Sequence, residues 1–245
     1  MAHAERAESP GQSVAAPLRW VVVPAVLAIA LVILNTTTDF DRAFTRLVFD
    51  APSAGFPLRT NFWLDVVMHH WTKYAVASLG CIVAAGLVLS FVLPTLRPRR
   101  RLLLFLTLAL ALAPLSVTIG KATSPRHCPW DVDEFGGFVP YTRLFEPPTP
   151  GVDPGHCFPA GHASTGFALL AFYFAAYAKR MRSTARALLA IGITAGLALG
   201  FGRMLQGAHF LSHVLWSGLL CWMVMVMIYM IVMREPDDRM LIAPG

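Results

Sequence analysis

Charge is what this chain has least of. Asp, Glu, Lys and Arg make up 14% of its 245 residues while 56% are hydrophobic. That balance excludes an ordinary soluble globule, in which about a quarter of the residues are charged. Acidic residues are scarcer than basic ones, 14 against 20, leaving a formal charge of +6. Internal repeats are absent, and so is a convincing cleavage site after the first apolar run, "VVVPAVLAIALVILN". That run therefore reads as an uncleaved span behind a polar tail and not as a secretory leader.

What is present is length of apolar sequence. Stretches of about 20 residues, enough to cross roughly 30 Å of hydrocarbon as a helix, lie near 19–35, 72–93, 102–120, 159–178, 185–202 and 209–233. The expected fold is all-α, a polytopic six-transmembrane-helix bundle. Basic residues gather in the short loops after spans two and four, as "RPRRR" (Arg97, Arg99, Arg100, Arg101) and "KRMRSTAR" (Lys179, Arg180, Arg182, Arg186). The positive-inside rule places those loops, and with six spans both termini, in the cytoplasm. Eight of the 20 basic residues are thus accounted for by topology, and a nucleic-acid partner is not expected. Residues 1–18, rich in Ala, Ser and Pro, read as a disordered cytoplasmic tail. Residues 19–233 form the single membrane domain, and 234–245 a second cytoplasmic tail.

The outer segments hold the unusual residues. The loop 121–158 is rich in Pro, Gly and aromatics, too broken to be a long helix. Lys121, Arg126, His127, His156, His162, Arg203, His209 and His213 all fall on the outer side, most of them at span ends. One such residue can simply snorkel to the headgroups. Eight on one face suggest a site, because cations at helix ends suit phosphate or carboxylate, and histidine serves as nucleophile, acid or base near neutral pH. His209 and His213, four apart, share a helix face if the last span begins there.

Three stretches, in order, resemble the motifs of the type-2 phosphatidic acid phosphatases, integral membrane lipid phosphatases related to vanadium haloperoxidases. "KATSPRHCP" resembles the first, with Lys121 and Pro129 in place and Cys128 where the family has arginine. "PAGH" resembles the second, with Ala160 for serine. "GRMLQGAHFLSH" resembles the third, with Gly202 for serine and His213 for aspartate. Arg203, His162 and His209 stand at the family's spacing, and the resemblance covers about residues 72–233. It implies that His209 attacks phosphorus to form a phosphohistidine and that His162 protonates the leaving oxygen. Lys121, Arg203 and the helix-start amide at Gly161 would hold the non-bridging oxygens, and Arg126 or His127 would stand in for the missing arginine. His213, in the aspartate's place, would accept a hydrogen bond from His209 and so fix its tautomer. No metal or cofactor is required by such a site.

Cys128 and Cys157 bracket the outer loop, while Cys81 and Cys221 lie within spans. In an oxidising periplasm a Cys128–Cys157 disulfide would clamp the first motif beside the second, worth about 3–4 kcal/mol in the chain-entropy view. Two buried free thiols are the plain alternative. The pairs His127–Cys128 and His156–Cys157 also invite a two-Cys, two-His zinc site, although adjacent residues make poor ligands to one ion. Gly192, Gly196 and Gly200 form a small-residue stripe for close helix approach. Phe172, Tyr173, Phe174 and Tyr177 read as an interfacial aromatic belt, and 36–71 as containing an amphipathic element. The expected partners are the bilayer and a lipid phosphate or pyrophosphate headgroup in the outer leaflet of a bacterial inner membrane. Hydrolysis leads, ahead of lipid-to-lipid phosphotransfer and of a non-catalytic lipid-phosphate or metal-binding protein. Substrate identity and oligomeric state are not legible in the sequence.

Overall fold

The computed structural model describes residues 17–233; of the tails expected at 1–18 and 234–245, residues 1–16 and 234–245 lie outside the described residues. The architecture is all-helical, with no strand among those residues. It comprises α1 (Arg19–Thr37), α2 (Phe40–Arg46), α3 (Thr72–Leu89), α4 (Arg100–Thr123), α5 (Gly161–Phe167), α6 (Leu170–Ala178), α7 (Arg182–Leu205) and α8 (Leu211–Val232). A π-helical stretch, Trp63–Trp71, runs directly into α3, and a 3-10 stretch, Pro94–Arg99, leads into α4. Among the described residues, five helical segments are long and apolar enough to cross a membrane: Arg19–Thr37, Trp63–Leu89, Pro94–Thr123, Arg182–Leu205 and Leu211–Val232.

The fourth expected span, 159–178, is not one helix. Around Ala168 and Leu169 the hydrogen bonding tightens, the Leu169, Ala171 and Phe172 amides each reaching back three residues, and the segment divides into α5 and α6. The last span begins at Leu211 and leaves His209 in the turn before it.

Between lipid-soluble helices there is little hydrophobic driving force, so close packing holds the bundle together. Phe105, Ala109, Ala113 and Val117 of α4, at intervals of four, are fully buried, forming the ridge that meets α8. The glycine stripe of α7 lies against α5, α6 and α8. A Cβ on Gly196 would stand 2.2 Å from Cδ1 of Phe167, and one on Gly200 would stand 2.3 Å from Cγ1 of Val214. Helix α1 is held by its own proline: Pro24 has no N–H to reach the Trp20 carbonyl, and the Trp222 indole N–H donates to that oxygen instead, at 2.9 Å.

Tyr173, Phe174 and Tyr177 are buried around Trp20, not spread at a lipid interface as expected. The Trp20 indole N–H donates to the Tyr173 hydroxyl at 2.6 Å, so the ring brings its polar edge into the bundle already paired. Outside the spans, α2 is the short element within 36–71. It is clamped to the outer loop by Arg42 and Arg46, whose guanidinium groups reach Glu134 at 2.6 and 2.5 Å. Cys128 and Cys157 are joined by a disulfide with a Cα–Cα distance of 5.3 Å, and Cys81 and Cys221 are free.

Candidate active site

Lys121 lies in the last turn of α4 and Arg203 in the last turn of α7. His162 is the second residue of α5, His213 the third of α8, and His209 sits two residues before α8 begins. All five occupy one end of the bundle. The Lys121 side chain runs alongside Gly161, whose added Cβ would lie 3.9 Å from Cδ of Lys121. Gly120 similarly abuts the Pro159 ring. The first and second motifs are thus in contact.

The second and third meet through the main chain. The Ala160 N–H donates to the His213 carbonyl at 3.1 Å, and the Ser217 hydroxyl donates to the carbonyls of Ala160 and His213 at 3.0 and 2.8 Å. Between α7 and α8, Gly207 takes φ of +74°, a conformation that favours glycine. Its carbonyl accepts from the Trp130 N–H at 3.0 Å.

His209 is 5% exposed. Burial first, then the neighbouring His213, Lys121, Arg203 and His162, push its imidazole well below the ordinary value. It is therefore neutral at pH 7 with a free lone pair. Its Nδ1 lies 3.5 Å from Sγ of Cys157, so the disulfide sulfur, a weak acceptor, faces the ring where a carboxylate was the family's expected partner. His213 does not accept from His209. The two rings stand edge-on with centroids 5.8 Å apart, His213 packs between Phe158 and Phe210, and its buried Nδ1 has no hydrogen-bond partner among the described residues. One side of His213 borders a crevice of about 10 Å³ with Asp41, Arg126 and Tyr141, too small for a phosphate.

His162 is held by a 2.9 Å contact between Nε2 and the Met68 carbonyl. Arg203 is aimed by residues that the motifs did not reveal: its Nη1 donates to Oε1 of Gln206 at 2.7 Å and lies 3.9 Å from the Asp65 carboxylate. Arg126 faces the outer loop, its guanidinium donating to the Thr142 hydroxyl and the Arg143 carbonyl at 2.9 Å and to the Glu146 carbonyl. His127 packs beside Gly155. His127, Cys128, His156 and Cys157 do not assemble as a four-ligand set; the cluster that forms among the described residues is Cys157, His209 and His213. Asp41 on α2 also escaped the motifs. Its carboxylate accepts from the N–H and hydroxyl of Ser212 at 2.8 and 2.6 Å, capping the first turn of α8.

Helix ends that bring a lysine, an arginine and three histidines together at one end of an apolar bundle fit a family already suggested by the motifs. The chain matches the PAP2 superfamily over residues 102–237, more than half its length, and belongs to that family. It is similar to the lipid A 4'-phosphatase of Francisella tularensis subsp. novicida, at 28% identity over 143 residues, which cover 56% of this chain and 61% of that relative. The chain thus spans less than two thirds of that relative's length. No solved structure matches it.

Proposed function

We propose that this protein is a membrane lipid phosphatase that hydrolyses a phosphate or pyrophosphate headgroup at the periplasmic face of a bacterial inner membrane, through a phosphohistidine at His209. One observation carries the reading: the ends of α4, α5 and α7 bring Lys121, His162 and Arg203 to the same end of the bundle as the buried His209, in the turn before α8. Lys121 and Arg203 hold the non-bridging oxygens, the Gly161 N–H at the start of α5 adds a donor, and the neutral His209 attacks phosphorus in line. As the His209–phosphorus bond forms, the phosphorus–oxygen bond to the lipid breaks, and His162, in its imidazolium form and swinging from the Met68 carbonyl, gives a proton to the leaving oxygen and becomes neutral. A water then attacks phosphorus, His162 takes its proton, and phosphate leaves His209.

An apolar groove of about 460 Å³ bordered by Trp20, Leu31, Leu170, Leu197, Leu215 and Trp222 supports a lipid substrate. Leu197 lies six residues before Arg203 and Leu215 six after His209, so the groove's outer end comes within about two helical turns of the site. The name of the Francisella relative makes lipid A the first substrate to try. The test is phosphate release by purified, oxidised protein from lipid A, undecaprenyl pyrophosphate, phosphatidate and phosphatidylglycerol phosphate. At least one should be hydrolysed, with chelator present and with inhibition by vanadate, which mimics five-coordinate phosphorus. Release from none of them, or release abolished by chelator, would overturn the proposal.

A further inference from the structure

We propose that opening the Cys128–Cys157 disulfide turns the surroundings of His209 into a three-ligand site for a zinc-type divalent cation, formed by Cys157, His209 and His213. The three donor atoms already lie within 4.8 Å of one another, and Cys157 Sγ is 3.5 Å from His209 Nδ1. Tetrahedral zinc, with bonds of about 2.0–2.3 Å, spaces its ligands roughly 3.3–3.8 Å apart, so small side-chain rotations close the set. All three residues are buried, and two are pinned by their backbones: the Cys157 N–H donates to the Arg126 carbonyl at 2.8 Å, and the His213 carbonyl accepts from Ala160. The second, independent observation is the buried His213 Nδ1, which makes no well-formed hydrogen bond among the described residues although the Cys157 main chain lies near the ring. A metal bond gives that lone pair an occupant.

Charge makes the site conditional on redox state. With the disulfide closed, the cluster offers two imidazoles and no anion, at the end of the bundle that also carries Lys121 and Arg203. A dication is repelled there. With the disulfide open, the Cys157 thiolate supplies the missing negative charge. Access favours that outcome, because Cys128 is partly exposed while Cys157 is fully buried. A dithiol reductant attacks Sγ of Cys128, and the Cys157 sulfur leaves as thiolate directly between the histidines. The reductant's second thiol then resolves the mixed disulfide, freeing the Cys128 thiol and leaving the reductant as a disulfide. Two electrons are transferred and no other oxidant is needed. A cation on the His209 imidazole withdraws density from its other nitrogen, which silences the nucleophile. That consequence, unlike the binding itself, rests on the phosphatase reading.

The test uses full-length detergent-solubilised protein, with Cys81→Ser and Cys221→Ala to remove the other thiols, and cobalt(II) as the probe. Reduced protein should take up one cobalt per chain with a thiolate-to-cobalt charge-transfer band, while oxidised protein should take up none. Cys128→Ser, which leaves Cys157 a free thiol, should bind cobalt without any reductant. Cys157→Ser should lose the band, and His213→Ala should bind at least tenfold more weakly. Equal uptake by oxidised protein, no band in either reduced protein or Cys128→Ser, or full affinity in His213→Ala would each overturn the proposal. Zinc loading of reduced protein should also lower phosphate release at least tenfold, reversibly with chelator. If cobalt binds as described but oxidised protein never releases phosphate, the metal site stands and the phosphatase reading falls.

Discussion

His209 and His213 are four residues apart, yet the structure gives them different work. His209 faces the cations of the site; His213 is wedged between Phe158 and Phe210. Substituting His209→Gln should therefore abolish turnover by roughly a thousandfold or more, as expected for loss of a nucleophile. His213→Ala should cost less, about ten- to a hundredfold, by loosening the ring packed beside it. Acid-quenched wild type should carry phosphate on the protein and His209→Gln should not; equal, mild losses at both positions would remove His209 from the chemistry. Lys121, His162, Arg203 and His209 were legible because their spacing is set along the chain. Asp41, Asp65 and Gln206 were not, since Asp41 and Asp65 reach the site from 171 and 138 residues away in sequence, and a solitary polar residue carries no periodic signal.

Asp41 also yields a prediction with a sign. Burial, only partly offset by hydrogen bonds from Ser212 and Asn35, raises its carboxyl from 3.8 to about 6. A raised acid is stabilising while protonated, so its contribution is complete below about pH 3.8 and is lost as pH rises through about 6, a change of roughly 3 kcal/mol. Wild type should melt progressively lower than Asp41→Asn as pH rises from about 4 to 7, in thermal unfolding of the solubilised protein. Parallel melting curves across that range would show that Asp41 does not titrate there.

At the scale of elements, the α5–α7 contact is the most exacting. The backbone of Gly166 comes so near α7 that an added Cβ would lie 2.6 Å from the Ala195 carbonyl, and Gly196 admits the Phe167 ring in the same way. Gly196→Val should force these helices apart at a cost of about 1–3 kcal/mol and should move His162, only five residues before Phe167. Thermal stability and phosphate release should fall together, and a variant that kept both would show that the contact is slack. The glycine stripe was legible because its four-residue period is a helical one. The break between α5 and α6 was not, because a run of small and apolar residues reads alike whether the helix continues or tightens by one turn. The aromatic belt was misread for a related reason: sequence gives the depth of a ring in the membrane but not whether it faces lipid or Trp20.

For the molecule as a whole, apolar length and basic loops made the all-helical membrane architecture legible, since both are counted along the chain and need no tertiary information. A reporter fused after Arg101 or Arg182 should read cytoplasmic, and one within 136–150 external. An external reading at Arg182 would place the histidines on the cytoplasmic side and overturn the periplasmic assignment. The outer loop resisted such reading, because its form is decided by long-range bonds: Glu134 to α2, Trp130 to Gly207, and Arg126 to its own far limb.

The junction of the second and third motifs rests on main-chain atoms, Ala160 N–H to the His213 carbonyl, with Ser217 bridging both carbonyls. A frame built this way is indifferent to the side chains at 160 and 213, since every residue but proline brings the same amide and carbonyl. Mutational drift can therefore erase the lettering of these motifs while the helix ends that present His162 and His209 stay in register. Chains of this kind would escape a search for literal motif strings, and a search for the paired helix ends themselves would retrieve them.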